Sequence, residues 1–122
     1  MKKDTKKQMR AILAGVLALV MVLGLCAMLD DRYRITSNRE AGLGRYDIQM
    51  QPLNRKLPGI LIELKAGKDC SANQLEELAR TALQQINDRN YAVDLHTQGV
   101  QTVLKYGIAF CGKNVRICAE TE

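Results

Sequence analysis

Three side chains in the middle of the chain have the types and spacing of a hydrolytic site: Asp47, Glu63 and Lys65. Asp47 lies in residues 45–51 and the other two lie in residues 59–66, and both segments alternate aliphatic and polar residues as half-buried strands do. Because side chains two residues apart share one face of a strand, Glu63 and Lys65 point the same way. If the two strands are neighbours, all three groups converge on one face of a sheet.

Such a group has a definite chemistry. Two adjacent carboxylates repel each other unless a cation lies between them, and their oxygens suit a hard divalent ion, Mg²⁺ or Mn²⁺. The ion lowers the pKa of a bound water and stabilises charge on a phosphoryl oxygen, while Lys65 can orient that water. The set therefore predicts phosphodiester hydrolysis. Spacing alone favours a simpler interpretation, an edge hairpin whose charged residues, including a Glu63 salt bridge, form its solvated face.

Several blocks of the sequence resemble a known family. They are Ser-Asn-Arg-Glu-Ala-Gly-Leu-Gly-Arg-Tyr-Asp at residues 37–47, Ile-Leu-Ile-Glu-Leu-Lys at 60–65 and Lys-Tyr-Gly-Ile-Ala-Phe at 105–110. They resemble the PD-(D/E)XK nuclease superfamily, in particular the nuclease-like domain C-terminal to AAA-ATPase-like domains of bacterial proteins. Residues 82–91 are similar to the second helix of that domain, and the resemblance covers residues 23–119.

The resemblance implies a restriction-endonuclease-like core and a metal-dependent nuclease that acts on DNA. Asp47 and Glu63 would bind Mg²⁺ or Mn²⁺ with the main-chain carbonyl of Leu64, and Lys65 would activate or orient the attacking water. In many nucleases of this superfamily a glutamine and a nearby tyrosine hold the substrate or the metal-bound water. Gln85 matches the position of the supporting glutamine.

Tyr91 matches the position of the supporting tyrosine. For Gln85 and Tyr91 the alternative is a helix-surface amide and a half-buried tyrosine, and both interpretations stay open. Glu40 could approach the metal, but a structural role, pairing with Arg39 or Arg45, is favoured. A separate ATPase domain would be a partner of the chain, since the sequence contains no Walker-type phosphate-binding loop.

The elements that must position these residues follow from periodicity and turn signals. Strands are predicted at residues 33–37, 45–51, 59–66, 101–110 and 114–119, a helix at 72–87, and a short helical piece at 91–98 that ends at Gly99. Ser71 is the predicted N-cap of the long helix, with Gln74 completing a capping box. The order α-β-β-β-α-β-β predicts an α/β fold, a mixed sheet flanked by helices.

The N-terminal region allows two interpretations. Residues 1–10 are polar and basic, and residues 11–29 contain no charged residue before Asp30. A membrane-inserted helix and a buried core helix both fit such a run, and the second is favoured because a strand follows almost at once. We therefore predict a nuclease-like domain at 30–119, a tail at 120–122 and a cytoplasmic protein, with membrane anchoring through 11–29 as the alternative.

Composition limits which classes of protein fit this chain, but it does not predict the function. The chain has 122 residues, enough for one small core, and a net charge of +5 that fits a polyanionic partner, although much of the excess lies in its first ten residues. Its four cysteines form no Cys-x-x-Cys pair, so we predict free thiols and no zinc site.

Three alternatives to a nuclease stay open: a non-cleaving binding module, a small membrane-anchored protein, and a truncated remnant of an ATPase-nuclease. Nothing in the sequence predicts the oligomeric state.

Overall fold

The computed structural model describes Gly24, residues 31–39 and residues 45–122. Its strands are β1 (Tyr33–Arg39), β2 (Arg45–Pro52), β3 (Gly59–Ala66), β4 (Val103–Cys111) and β5 (Asn114–Thr121), and its helices are α1 (Ala72–Asp88) and α2 (Tyr91–Thr97). Each lies within two residues of its predicted bounds. The predicted α/β class is confirmed. The basic segment at 1–10 lies outside the described residues, as does the apolar run at 11–29 apart from Gly24.

The five strands form one mixed sheet in the order β1-β2-β3-β4-β5. Neighbours are antiparallel except β3 and β4, which are parallel and are joined by the crossover through α1 and α2. β3 is thus the central strand, with a partner on each side. The interpretation of residues 45–66 as an edge hairpin is therefore wrong.

The two faces of the sheet bury different residues because side chains alternate along each strand. On one face lies an apolar cluster of Tyr33, Ile48, Met50, Ile62 and Leu64. The helices pack on the other face, where Leu61 and Val103 contact Ile86, Ala92 and Leu95. Asp47, Glu63 and Lys65 alternate with the first cluster, so they lie on the face that the helices cover.

Helix α1 begins where its capping residues predict. The Ser71 hydroxyl accepts a hydrogen bond from the Gln74 N–H at 3.2 Å, and the Ser71 N–H donates to Gln74 Oε1 at 2.8 Å. The capping box is confirmed, and it satisfies two of the N–H groups that a helix start leaves without partners. The apolar side chains of α1 face the sheet, and Leu75, Ala79, Ala82 and Ile86 among them are buried.

A glycine sets how closely α1 approaches the sheet. A Cβ at Gly107 in β4 would lie 2.4 Å from the Ala79 carbonyl oxygen and 2.5 Å from the Leu83 nitrogen, both in the backbone of α1. Gly107 is also the register partner of Glu63 on β3. The absence of a side chain there lets the helix lie directly over the strand beside Glu63.

Within residues 31–39 and 45–122, no helix is long and apolar enough to cross a membrane. The predicted alternatives for residues 11–29 concern a segment outside this part of the chain.

Candidate active site

Asp47 and Glu63 lie directly opposite each other on neighbouring strands. They are register partners in the antiparallel pair of β2 and β3, and such partners on one face have Cβ atoms about 4.5–5.5 Å apart. Lys65 follows Glu63 by two residues on the same face of β3. The structure thus brings together the three side chains that the sequence nominates for catalysis.

The two carboxylates are buried. Asp47 is 6% exposed and Glu63 is 0% exposed, because α1 and the segment after it cover this face. Taking a carboxylate out of water is costly unless hydrogen bonds, a counter-charge or a metal ion compensates for it. The simple alternative of a solvated face therefore does not describe these residues, and their burial calls for a positive charge beside them.

Arg89 supplies one such charge. Its Nη1 donates to Asp47 Oδ2 at 3.1 Å and also lies 3.4 Å from the Tyr91 hydroxyl oxygen. Arg89 is the C-cap residue of α1 and Asn90 adopts a left-handed conformation with φ 56°, which turns the chain into α2. That turn places Arg89 and Tyr91 together next to β2. Sequence reasoning nominated Tyr91 but missed Arg89.

Buried side-chain oxygens at the site that accept no hydrogen bond from the described part of the chain include Asp47 Oδ1 and Gln85 Oε1. Gln85 precedes Arg89 by one helical turn, so both project from the same side of α1. The interpretation of Gln85 as a surface amide does not fit this buried oxygen.

The remaining residues that the sequence nominates are Leu64, Lys65 and Glu40, and each has a different environment or lies outside the described residues. Leu64 lies between Glu63 and Lys65, but its side chain belongs to the apolar cluster on the opposite face, so only its main chain is available to a ligand. Lys65 is half-buried. Glu40 lies outside the described residues, so its approach to the site stays a prediction.

Comparison with known proteins identifies the family. A family model of the PD-(D/E)XK nuclease superfamily matches residues 18–120. The chain belongs to this superfamily. No curated protein and no solved structure gives a significant match. Membership agrees with the mixed five-stranded sheet and its helices, which form the predicted restriction-endonuclease-like core. The association with an AAA-ATPase-like domain stays a prediction.

The residues of this superfamily member fit a hard divalent cation. Within the described ranges no cluster of three or more His, Cys, Asp or Glu side chains is arranged for metal binding, so a metal here would depend on a mixed set of oxygens. Asp47 Oδ1 is buried and accepts no hydrogen bond from residues 31–39 and 45–122, and Glu63 is the opposite carboxylate on the next strand. Carboxylate, amide and carbonyl oxygens are the ligands that Mg²⁺ and Mn²⁺ prefer.

A polar groove opens beside the nuclease-like site. It has a volume of about 280 Å³ and is lined by Arg34, Thr36, Gln49, Gln51, Tyr91, Asp94, Leu95, Thr97 and Gln98. Gln49 follows Asp47 on the same face of β2, and Tyr91 contacts Arg89. The groove therefore runs along β2 toward Asp47, and its walls offer hydrogen-bond donors and one cationic side chain.

Proposed function

We propose that this chain is a divalent-metal-dependent nuclease that hydrolyses DNA phosphodiester bonds. One observation carries the proposal: in a member of the PD-(D/E)XK superfamily, the carboxylates of Asp47 and Glu63 are buried directly opposite each other. Lys65 lies on the same face, two residues beyond Glu63. A pair of buried acids with a lysine alongside is the arrangement expected for metal-assisted hydrolysis.

Each residue would have its own part in the reaction. Asp47 and Glu63 would hold Mg²⁺ or Mn²⁺ with the Leu64 carbonyl, and the bound ion would supply an activated water and neutralise phosphoryl charge. Lys65 would orient the attacking water and donate to a phosphoryl oxygen. Gln85 would accept a hydrogen bond from the same water through its buried Oε1.

Arg89 and the polar groove support a phosphate-bearing substrate. The planar guanidinium of Arg89 is suited to bidentate binding of a phosphate, and its side chain is 25% exposed, so it is within reach of a ligand in solvent. Arg34 gives the far part of the groove a cation for the next phosphates of a strand. Tyr91, on the wall, can stack on a base or hold the Arg89 side chain in place.

A cleavage assay tests this function. Linear, circular and single-stranded DNA would be incubated with the full chain in Mg²⁺, Mn²⁺ or EDTA, beside Asp47→Asn, Glu63→Gln and Lys65→Met. We expect cutting only with a divalent ion, and a loss of at least about 10²-fold in each variant, because each removes a group that acts on the transition state. Circular dichroism would establish that each variant is folded.

Matched substitutions outside the site provide the control. Glu77→Gln and Lys113→Met make the same chemical changes at exposed positions, so cleavage should stay at the wild-type rate. A folded wild type that binds no divalent ion and cuts none of the three DNA forms would contradict the proposal. Binding of DNA without cleavage would instead identify a non-catalytic binding module.

A further inference from the structure

The outer edge of the sheet at β5 carries exposed apolar side chains. Val115 is 40% exposed and Ile117 is 57% exposed, and they are the register partners of Phe110 and Ile108 on β4. β5 pairs with β4 alone among the described strands. An edge strand with exposed aliphatic residues is a template for pairing with another strand.

The hydrogen-bonding pattern shows which main-chain groups of β5 face outward. Val103 and Glu122 exchange both of their main-chain hydrogen bonds, at 2.9 Å each. In an antiparallel pair such residues alternate with pairs that make no mutual bonds, so the even-numbered residues of β5 bond to β4. The odd-numbered residues, from Val115 to Thr121, therefore direct their N–H and C=O groups away from β4.

We propose that β5 pairs antiparallel with β5 of a second copy of this chain, about a two-fold axis at Cys118. A two-fold axis perpendicular to a continuous sheet keeps every side chain on its own face, so residues that meet across it have sequence numbers of equal parity. With Cys118 at the centre, Ile117 meets Ala119 of the partner subunit and Val115 meets the partner's Thr121. These are the residues whose main-chain groups face outward.

Charge complementarity selects this register. Centring on Cys118 places Arg116 opposite Glu120 of the partner subunit, and symmetry gives this pair twice. Other centres lose this pair: an axis at Arg116 sets the two arginines against each other, and an axis at Ile117 sets Arg116 against a cysteine. An axis at Ala119 would set Arg116 against Glu122, whose carboxylate already pairs with Lys105 of its own subunit. Opposite charges directly across two strands stabilise the pairing, and like charges oppose it.

The apolar face continues across the same axis. Ile117 lies beside Ala119 of the partner subunit, and the two Ile117 side chains become diagonal neighbours, which are within contact distance for long side chains. The exposed surface of Ile117 is then partly covered by Ile117 and Ala119 of the partner subunit, and that of Val115 by the partner's Thr121. The product is one continuous sheet shared by both copies, with the edge strand of each removed from solvent.

Sedimentation velocity of the full chain over a range of concentrations tests the pairing. We expect a wild-type dimer, and Arg116→Glu should raise the dissociation constant by roughly ten- to a hundredfold because two attractive pairs become repulsive. Combining Arg116→Glu with Glu120→Arg should restore the dimer, since it exchanges the charges. Arg80→Glu, on an exposed position of α1, is the matched control and should leave the dimer intact.

Cys118 offers a second, independent test. At the axis it forms a pair without mutual hydrogen bonds, whose Cα atoms lie about 4.5 Å apart, within the range that a disulfide spans. Oxidation of the protein by copper phenanthroline should give a covalent dimer in wild type and in Cys70→Ser, and none in Cys118→Ser. A monomer at every concentration would overturn the proposal, as would a dimer that neither Arg116→Glu nor Ile117→Lys weakens, because its contact would lie elsewhere.

Discussion

Arg89 and Asp47 form an ion pair in which Nη1 lies 3.1 Å from Oδ2, although 42 residues separate them in the sequence. The pair places a guanidinium on one of the two carboxylates proposed to bind the metal. The other oxygen of Asp47, Oδ1, has no hydrogen-bond donor in the described residues. One oxygen of the same carboxylate is thus neutralised by the protein, while the second is available to a cation.

Substituting Arg89 should separate its structural role from its effect on metal binding, because its positive charge repels a cation that binds the other oxygen of Asp47. In Arg89→Gln the Asp47 carboxylate stays buried but loses this counter-charge, so the metal-free protein should be less stable by about 1–3 kcal/mol. Mg²⁺ should then raise the melting temperature of the variant more than that of wild type. Thermal unfolding with and without Mg²⁺ measures both effects.

The matched control for this experiment is Arg80→Gln. Arg80 pairs with Glu76 one turn along the exposed side of α1, so its loss should change stability by a few tenths of a kcal/mol and leave the response to Mg²⁺ unchanged. Equal Mg²⁺-induced shifts in wild type and Arg89→Gln would contradict the idea that the guanidinium weakens metal binding at Asp47.

Gly107 should tolerate no side chain. An alanine Cβ would lie 2.4 Å from the Ala79 oxygen and 2.5 Å from the Leu83 nitrogen, and both are helix backbone that can move only with α1 as a whole. Overpacking of this kind costs about 1–3 kcal/mol, which urea unfolding of Gly107→Ala would measure. Because Gly107 lies beside Glu63, cleavage should also fall in the fraction that stays folded.

A glycine with open space around it provides the comparison. Gly112 has φ +60° in the β4–β5 turn and nothing lies within 4 Å of a Cβ built there, so Gly112→Asn should be close to neutral, since asparagine adopts this conformation readily. If both substitutions proved equally mild, the close approach of α1 to β4 would not limit the packing of this face.

Local patterns in the sequence were sufficient to predict the elements. Alternation of aliphatic and polar residues marks β2 and β3, and the Ser71 and Gln74 pair marks the start of α1, because strands and helix caps depend on residues close in sequence. The same alternation places Asp47 and Glu63 on one face. It could not predict their burial, since a helix-covered face with charged residues and a solvated face have the same pattern.

The parts that sequence reasoning missed depend on contacts between distant residues. Arg89 is one basic residue at a helix end, and nothing near it in the sequence connects it with Asp47. The burial of Glu63 depends on the approach of α1 at Gly107, a residue that lies 44 positions further along the chain. Tertiary packing determines both the contact of Arg89 with Asp47 and the burial of Glu63. The periodicity of strands and helices in the sequence contains no information about contacts between distant segments.

The capping box of α1 should contribute measurably to stability. Ser71→Ala removes the hydroxyl that accepts from the Gln74 N–H, and loss of such a cap costs about 1 kcal/mol. Urea unfolding should therefore show a lower midpoint with an unchanged slope. Asn73→Ala, an exposed position in the first turn, is the control and should change the midpoint little. A Ser71→Ala midpoint equal to that of wild type would show that the cap is not needed.

The ion pair of Lys105 and Glu122 should make the free energy of unfolding depend on pH in the acidic range. Lys105 is 4% exposed, and its ammonium group donates to the Glu122 carboxylate and, at 2.6 Å, to Asn87 Oδ1. The hydrogen bond from Lys105 lowers the pKa of Glu122 below its ordinary value of 4.5. A carboxyl whose pKa is lowered in the folded state stabilises it above that ordinary value and loses this contribution as the pH falls through the folded-state pKa.

Wild type should therefore be more stable than Glu122→Gln at pH 7, and the difference should shrink below about pH 4.5. Urea unfolding of both proteins across this range measures it. In a Lys105→Met background the pH dependence of the Glu122→Gln effect should largely disappear, because the cation that lowers the pKa of Glu122 is gone. A difference that stays constant from neutral to acid pH in the wild-type background would show that the ion pair does not stabilise the fold, and that the buried lysine depends on Asn87 instead.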